Sequence, residues 1–564
     1  MELKSKAATR GILPRGIVGA AFSAIFAAAT CAGSQRAVPK TVDRLNVEIP
    51  MRDGKKLAAD LLLPAAEGKF PTVFIHTPYN RQFGGGPLPD ELMAHKLQDR
   101  EHYAYVVVDW RGRFGSKDAA EGVKRIDNGQ DGYDVIEWIA KQPWSDGKVG
   151  MWGVSAVGSV QYDVAMEKPP HLVCIVPASA NIGLAYDQFY YGGVLERHYF
   201  GVFQAVGHGA GDIIEGHPTP DETWEKIDAL FDRSRIDLPI LFITGWYDTH
   251  PGLKIQTFQE IRTRGKRHEK DMKLLMGPWL HTRLGGREQG AMEYTAAESV
   301  SDSEALRFLD YYLRGQENGW DKEPPIRYFQ MGEDVWKSTE TWPPPTETVR
   351  YFLGKGGSLS RERPGDEPPD SYVYDPKQVT PTVGGNLIEV PKAKLQIPVG
   401  PQDLRKIESR EDVLVYTSDV LSENVAITGS VSAELYVSSD QKDTDFAVRL
   451  TDVHPDGRSI LVTDGIQRMR YRDSLEKEEL MEPGNVYEVT VTLPPTATTF
   501  LKGHRIRIVV SSANWPRFQA NPNTDRPRLI GPKLRVARNQ VFHDDDHPSS
   551  VSLPTSDSTK GSRR

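Results

Sequence analysis

Four short apolar runs follow one another at helix-length intervals: TVFIHT (72–77), AYVVVD (104–109), VGMWG (149–153) and LVCIVP (172–177). None of them alternates with polar residues. A strand wetted on one face must alternate, whereas a strand covered on both faces need not, and covering both faces is the habit of parallel sheets flanked by helices. Helix-like segments stand between the runs, over Glu91–Arg100, Asp131–Gln142 and Ala156–Glu167. In Asp131–Gln142, the residues Val135, Ile136, Trp138 and Ile139 mark an apolar face of helical period. Strand, helix and strand in succession predict an α/β domain with a mostly parallel, doubly wound sheet. The rhythm stops over 180–235, where aromatic residues and glycines precede an amphipathic stretch, Asp221–Phe231. It resumes with PILFITG (239–245), KLLMG (273–277) and helices near Leu253–Thr263 and Ser303–Arg314. The sheet domain is therefore expected from 41–179 and 236–325, with 180–235 inserted as a largely helical cap.

After Pro324 the period changes. SVSAELYVSS (430–439), FAVRLTDV (446–453), VYEVTVTL (486–493) and HRIRIVVSS (504–512) alternate strictly, with turn-rich segments between them. Many short alternating strands predict an all-β jelly roll or sandwich over 326–540. The polar segment 541–564 is expected to be disordered. At the other end, Lys4, Lys6, Arg10 and Arg15 precede an uncharged stretch from Gly16 to Gly33. This is the pattern of a secretory signal over 1–33, which places the mature chain outside the cytoplasm, secreted or periplasmic, with no stable membrane insertion after cleavage. Lipid attachment at Cys31 is the less favoured alternative, because Thr30 before it fits poorly. The other cysteine, Cys174, lies in an apolar run and reads as a small buried hydrophobe, so neither a disulfide framework nor a thiolate metal site can be built. The net charge of −8 is spread along the chain and Lys and Arg form no cluster, which argues against a nucleic-acid partner.

One hydroxyl stands where a strand should hand over to a helix. In KVGMWGVSAVGSV (148–160), Ser155 follows a buried run and precedes small residues. A serine there faces the carboxyl edge of the sheet, with the amide of Ala156 at the helix N-terminus aimed at a developing oxyanion. The second glycine comes one place later than in G-x-S-x-G, and a serine at this spot can equally be a helix N-cap. Serine needs a base, and the base needs an orienting acid. Asp248 directly follows the run ILFITGWY, and His281 directly follows KLLMGPWL, so both leave strands at the same sheet edge as Ser155. The chain order serine, acid, histidine is that of the α/β-hydrolase arrangement. His250 is the rival base, but it shares a loop with Asp248. Tyr79, after Pro78 in FIHTPYNR, is placed either to donate its phenol to the oxyanion or simply to line a pocket. Trp246 and the cap aromatics point to an apolar pocket, with a core role as the alternative. No histidine pair has metal-ligand spacing and no glycine loop would cradle phosphate, so no metal or cofactor is expected.

HTPYN, VVVDWRGRFGSKD, WSDGKVGMWGVSAVG, GWYD, GPWLH and LRFLDYYLRG, followed by RYFQMGEDVWKSTETWPPP, resemble the cocaine esterase and α-amino acid ester hydrolase group, the CocE/NonD-type serine hydrolases. X-prolyl dipeptidyl peptidases and glutaryl-cephalosporin acylases are relatives of that group. The likeness runs from about 42 to 540. It implies an α/β-hydrolase domain, an inserted helical cap and a C-terminal jelly roll. It also implies Ser155 as nucleophile, His281 as base, Asp248 as its orienting acid, and Tyr79 with the Ala156 amide as oxyanion hole. Ala156 replaces the aromatic residue usual in the group, so the wall beside the serine is smaller. Asp187 lies in the cap region where the amino-ester hydrolases hold a substrate ammonium. The resemblance implies a small-molecule ester or amide as substrate. A dipeptidyl peptidase and a non-catalytic glycan-binding surface protein are the alternatives, and the sequence is silent on oligomeric state.

Overall fold

The computed structural model describes residues 42–82, 99–205, 209–265, 267–390, 396–525 and 533–556. The expected signal over 1–33, with Cys31, and most of the helix expected over 91–100 lie outside the described residues.

Among the described residues, ten strands form the α/β sheet: β1 (Val42–Pro50), β2 (Lys56–Leu63), β3 (Phe70–Thr77), β4 (Ala104–Asp109), β5 (Ser145–Val154), β6 (Leu172–Ala178), β7 (Ile240–Tyr247), β8 (Met272–Leu280), β9 (Ile326–Gln330) and β10 (Val335–Thr339). Their order across the sheet is β1-β2-β4-β3-β5-β6-β7-β8-β9-β10. Pairing is parallel from β4 to β9 and antiparallel at both ends. The missing alternation in the sequence has its cause here: β4, β7 and β8 are buried at every residue. Cys174 is buried in β6, as its apolar run predicts.

Helix α1 (Asn128–Ala140) starts where the Asp127 side chain accepts from the Gln130 amide. It lies against α2 (Ala156–Met166), so close that a Cβ on Gly132 would stand 2.2 Å from Val164 Cγ2. Among its described residues the inserted cap holds three short helices, α3 (Arg197–Ala205), α4 (Gly211–Gly216) and α5 (Glu222–Asp228). They gather around their own apolar cluster of Tyr186, Phe189, Tyr190, Leu195, Phe200 and Trp224. Helices α6 (Pro251–Arg264) and α7 (Val300–Arg314) complete the α/β part.

Among the described residues, the C-terminal β domain is one network of eleven paired strands with a separate hydrophobic core. Its strands Asp445–Val453 and Ser459–Arg468 are buried at every residue. Contacts with the α/β part include the Tyr247 hydroxyl donating to Leu461 O at 3.0 Å and the Met331 amide donating to Ala497 O at 3.0 Å. Two expected boundaries move. Ile326–Gln330 and Val335–Thr339 belong to the α/β sheet as β9 and β10, not to the jelly roll, because β9 pairs in parallel with β8. The segment expected to be disordered from 541 instead contributes a strand, Ser550–Thr555, between Glu347–Gly354 and Val425–Ser439. Val551 and Leu553 point into the core on the alternate positions of that strand, a two-residue apolar period hidden in a polar composition.

Candidate active site

Ser155 sits at the corner between β5 and α2 with φ 60° and ψ −127°. A non-glycine residue holds such a conformation at a cost of about 1–3 kcal/mol, sustained only when its surroundings fix it. They do: the Ser155 amide donates to Ala178 O at 2.9 Å, and its carbonyl accepts from the amides of Gly158 and Ser159, both at 2.8 Å. The hydroxyl makes no capping hydrogen bond, which removes the N-cap alternative. The glycines allow the corner to close. A Cβ on Gly153 would lie 2.2 Å from Val157 Cγ1, and one on Gly158 would lie 2.7 Å from Ala180 Cβ. The displaced second glycine therefore marks the contact of α2 with the exit of β6, not the flank of the serine.

The three side chains expected from strand exits converge. His281 Nε2 is 3.0 Å from Ser155 Oγ, and His281 Nδ1 is 2.7 Å from Asp248 Oδ1. Asp248 is completely buried and every oxygen is engaged. Oδ1 also accepts from the Thr249 amide at 2.7 Å, while Oδ2 accepts from Thr244 Oγ1 and Lys254 Nζ, both at 2.7 Å. Burial alone would raise the Asp248 pKa, but the charges of Lys254 and His281 overcome it and hold the carboxyl well below the usual carboxylate range. Burial lowers the pKa of Lys254, and the Asp248 charge opposes that. From the β domain, Asn386 Nδ2 donates to Trp246 O at 2.6 Å and to Asp248 O at 2.8 Å, clamping the loop that carries the acid.

Tyr79 leaves β3 in a loop bolted down by ion pairing. The Arg81 guanidinium meets Asp109 Oδ2 at 2.7 Å, and the Arg81 amide donates to Asp109 Oδ1 at 2.7 Å. Burial raises the Tyr79 pKa, while its interactions with the Ser155 hydroxyl and the Ala156 amide lower it. The phenol thus stands beside the two groups it was expected to join. Together they can polarise a carbonyl held against the serine.

Other candidates fall elsewhere. Trp246 is core rather than pocket wall: its Nε1 donates to Phe329 O at 2.7 Å and its ring lies 5.3 Å from that of Trp342. Asp187 is on an exposed turn next to Gln188, which does line the cavity; the loss of water around its carboxyl raises its pKa, and the nearby His250 opposes that. His250 does not face the serine. Its Nε2 lies 3.5 Å from Glu196 Oε2 and its ring packs 4.4 Å from that of Tyr199. Sequence spacing also missed one grouping that could hold a metal: Asp452, His454 and His504 offer ligand atoms within 4.8 Å of one another in the β domain. There His504 Nδ1 is 2.9 Å from Asp452 Oδ1, so a hydrogen bond accounts for the contact.

Ser155, His281, Tyr79 and Ala156 open onto a cavity of about 340 Å³. Val160, Leu184, Phe203, Phe231 and Ile388 give it apolar walls, and Asn128, Ser159 and Asp163 add polar groups. Sequence reading missed Lys254, Thr244, Asn386 and Asp163. Only Asp163 carried a signal, the i, i+4, i+8 spacing from Ser155 along one helix face.

An α/β-hydrolase sheet, a serine at its strand-to-helix corner and a C-terminal β domain define a serine hydrolase. The family models agree: residues 53–213 and 210–283 match the X-Pro dipeptidyl-peptidase (S15 family), and 318–552 match the X-Pro dipeptidyl-peptidase C-terminal non-catalytic domain. The chain is 34% identical over 585 residues to the cocaine esterase of Rhodococcus sp. (strain MB1 Bresler), covering 90% of this chain and 98% of the relative. An aminopeptidase from a marine sediment Thaumarchaeota archaeon shares the fold with a TM-score of 0.78 at 23% identity, covering 93% of this chain and 98% of that one. A selenomethionine-labelled α-amino acid ester hydrolase does so with 0.76 at 24%, covering 94% and 100%. The protein belongs to the CocE/NonD and S15 family of serine hydrolases.

Proposed function

We propose that the enzyme is a carboxylesterase working through an acyl-enzyme, with Ser155, His281 and Asp248 as its triad. The observation that carries this reading is the continuous hydrogen-bonded relay from Asp248 through His281 to Ser155, open to a cavity with apolar walls. His281 Nε2 takes the Ser155 proton as Oγ attacks the ester carbonyl. Asp248 holds Nδ1–H, fixing the tautomer and stabilising the imidazolium. The Tyr79 hydroxyl and Ala156 amide receive the oxyanion. His281 then returns the proton to the departing alkoxide, and water, activated by the same imidazole, releases the acid.

Ser155→Ala should abolish both hydrolysis of aryl esters and labelling by a fluorophosphonate. Labelling that persists on another serine sinks the assignment. Tyr79→Phe should lower kcat by about 10²–10³ with KM little changed, the usual loss for one oxyanion donor. A dipeptidyl peptidase is the second reading, favoured by the match of 53–283 to the S15 model. Release of anilide from X-Pro-anilides without cleavage of simple aryl esters would decide for it.

A further inference from the structure

The cavity has a polar end that the acyl-transfer chemistry leaves unused. Ser155, Ser159 and Asp163 all line it, spaced four residues apart along α2. Eight residues of helix span about 12 Å, so Asp163 lies two turns beyond the nucleophile on the same face. Its carboxylate has no hydrogen-bond or ion-pair partner among the described residues, and the only charged neighbour acting on it is another carboxylate, Asp127, at the start of α1. The wall beside it adds a second bare acceptor: Asn128 Oδ1 is buried and unpartnered. Helix α1 presses on this end so closely that a Cβ on Gly129 would stand 2.8 Å from Asp163 O. Burial, followed by the Asp127 charge, pushes the Asp163 carboxyl up to about 7.

Acceptors without donors are costly when enclosed, and a carboxylate without a counter-charge most of all. A ligand that supplies both a positive charge and several N–H groups removes that cost. We propose that Asp163 and Asn128 form a subsite for an ammonium group of the substrate, held roughly 6 Å from the scissile carbonyl once a hydrogen-bond length is allowed at each end of the span. An α-ammonium, one carbon from the carbonyl, falls short of it. The subsite deepens the esterase reading and rests on Ser155 as nucleophile.

The probes are p-nitrophenyl 6-aminohexanoate and p-nitrophenyl heptanoate, alike in length and differing in charge. A second pair, 4-(2-aminoethyl)phenyl hexanoate and 4-propylphenyl hexanoate, places the ammonium on the alcohol side. In one of the two pairs, wild-type enzyme at pH 8 should favour the amine at least tenfold in kcat/KM. Asp163→Asn should erase that preference, mainly through KM. The ratio of amine to neutral rates should fall as pH drops through about 7, where the carboxyl takes up its proton. Independently of turnover, hexylammonium chloride should raise the thermal midpoint of Ser155→Ala enzyme, and hexanol should not. The same variant carrying Asp163→Asn should not respond to hexylammonium. Equal rates within both pairs, or equal losses on charged and neutral esters in Asp163→Asn, would overturn the subsite while leaving the esterase intact. Absence of the hexylammonium response would overturn it even if no ester were cleaved.

Discussion

Lys254 decides what kind of acid Asp248 is. Its ammonium holds Asp248 Oδ2 while Asp248 Oδ1 holds the His281 imidazole, so one buried carboxylate is fixed from both sides. Lys254→Gln removes the cation from Oδ2, and kcat/KM should fall by about tenfold, equivalent to about 1.4 kcal/mol. Unchanged kcat/KM in a folded Lys254→Gln enzyme would make Lys254 structural only. A titration is set by His76, enclosed in β3 with both ring nitrogens unpartnered. Burial lowers its pKa to about 3. The unfolded chain binds a proton near pH 6.5 that the native ring refuses, so stability falls with pH from about 6.5 down to about 3, by about 1.4 kcal/mol per unit from this group. His76→Leu should flatten that part of the denaturant-midpoint profile, and identical slopes in the two proteins would contradict it. At this scale the sequence exposed residues whose place follows from a strand end. Ser155, Asp248 and His281 each stand next to an apolar run. Lys254 was hidden, being one lysine within a helix, and for Trp246 the sequence leaves pocket and core both open, because its position beside the acid says nothing about which way its ring turns.

At the scale of elements, the corner between β5 and α2 shows how packing dictates spacing. The first glycine clears Val157 within the turn, and the second lets the helix settle on the exit of β6. Gly158→Val would drive a branched side chain into Ala180 Cβ and Ala178 O, at 2.7 and 2.9 Å already for its first carbon. Overpacking of this kind costs about 1–3 kcal/mol. Because the Ser155 amide donates to Ala178 O at 2.9 Å, kcat should fall together with stability. Measuring both in Gly158→Val, with Gly158→Ala as the milder step, tests the link; a stable variant with full kcat breaks it. Elements with one strong period were legible. Runs without alternation became β3 to β8, and the alternating runs became the β domain. Ile326–Gln330 was assigned to the wrong domain because five residues do not reveal which sheet they will join. Ser550–Thr555 escaped because its two apolar residues are outnumbered by polar neighbours.

Across the whole molecule, the β domain serves the site as a brace. Asn386 reaches from it to the carbonyls of Trp246 and Asp248, and Arg517 ties it to the cap. No sequence pattern announces such links, since each joins residues more than a hundred positions apart. Arg517 is fully enclosed, with its guanidinium 2.6 Å from Asp464 of the β domain and 3.2 Å from Glu196 of the cap. Glu196 in turn faces His250, two residues beyond the acid of the triad, at 3.5 Å. Arg517→Met keeps the length of the side chain but strands two buried carboxylates. Breaking a buried ion pair from one side costs about 3–5 kcal/mol, most of it the burden of the charge left behind. The denaturant midpoint of Arg517→Met should drop accordingly. Adding Glu196→Gln and Asp464→Asn should recover part of the loss, because no bare charge then remains. If the single variant unfolds at the wild-type midpoint, the cap and the β domain are held by their apolar contacts alone. If the triple variant is less stable than the single one, the carboxylates do something other than answer Arg517.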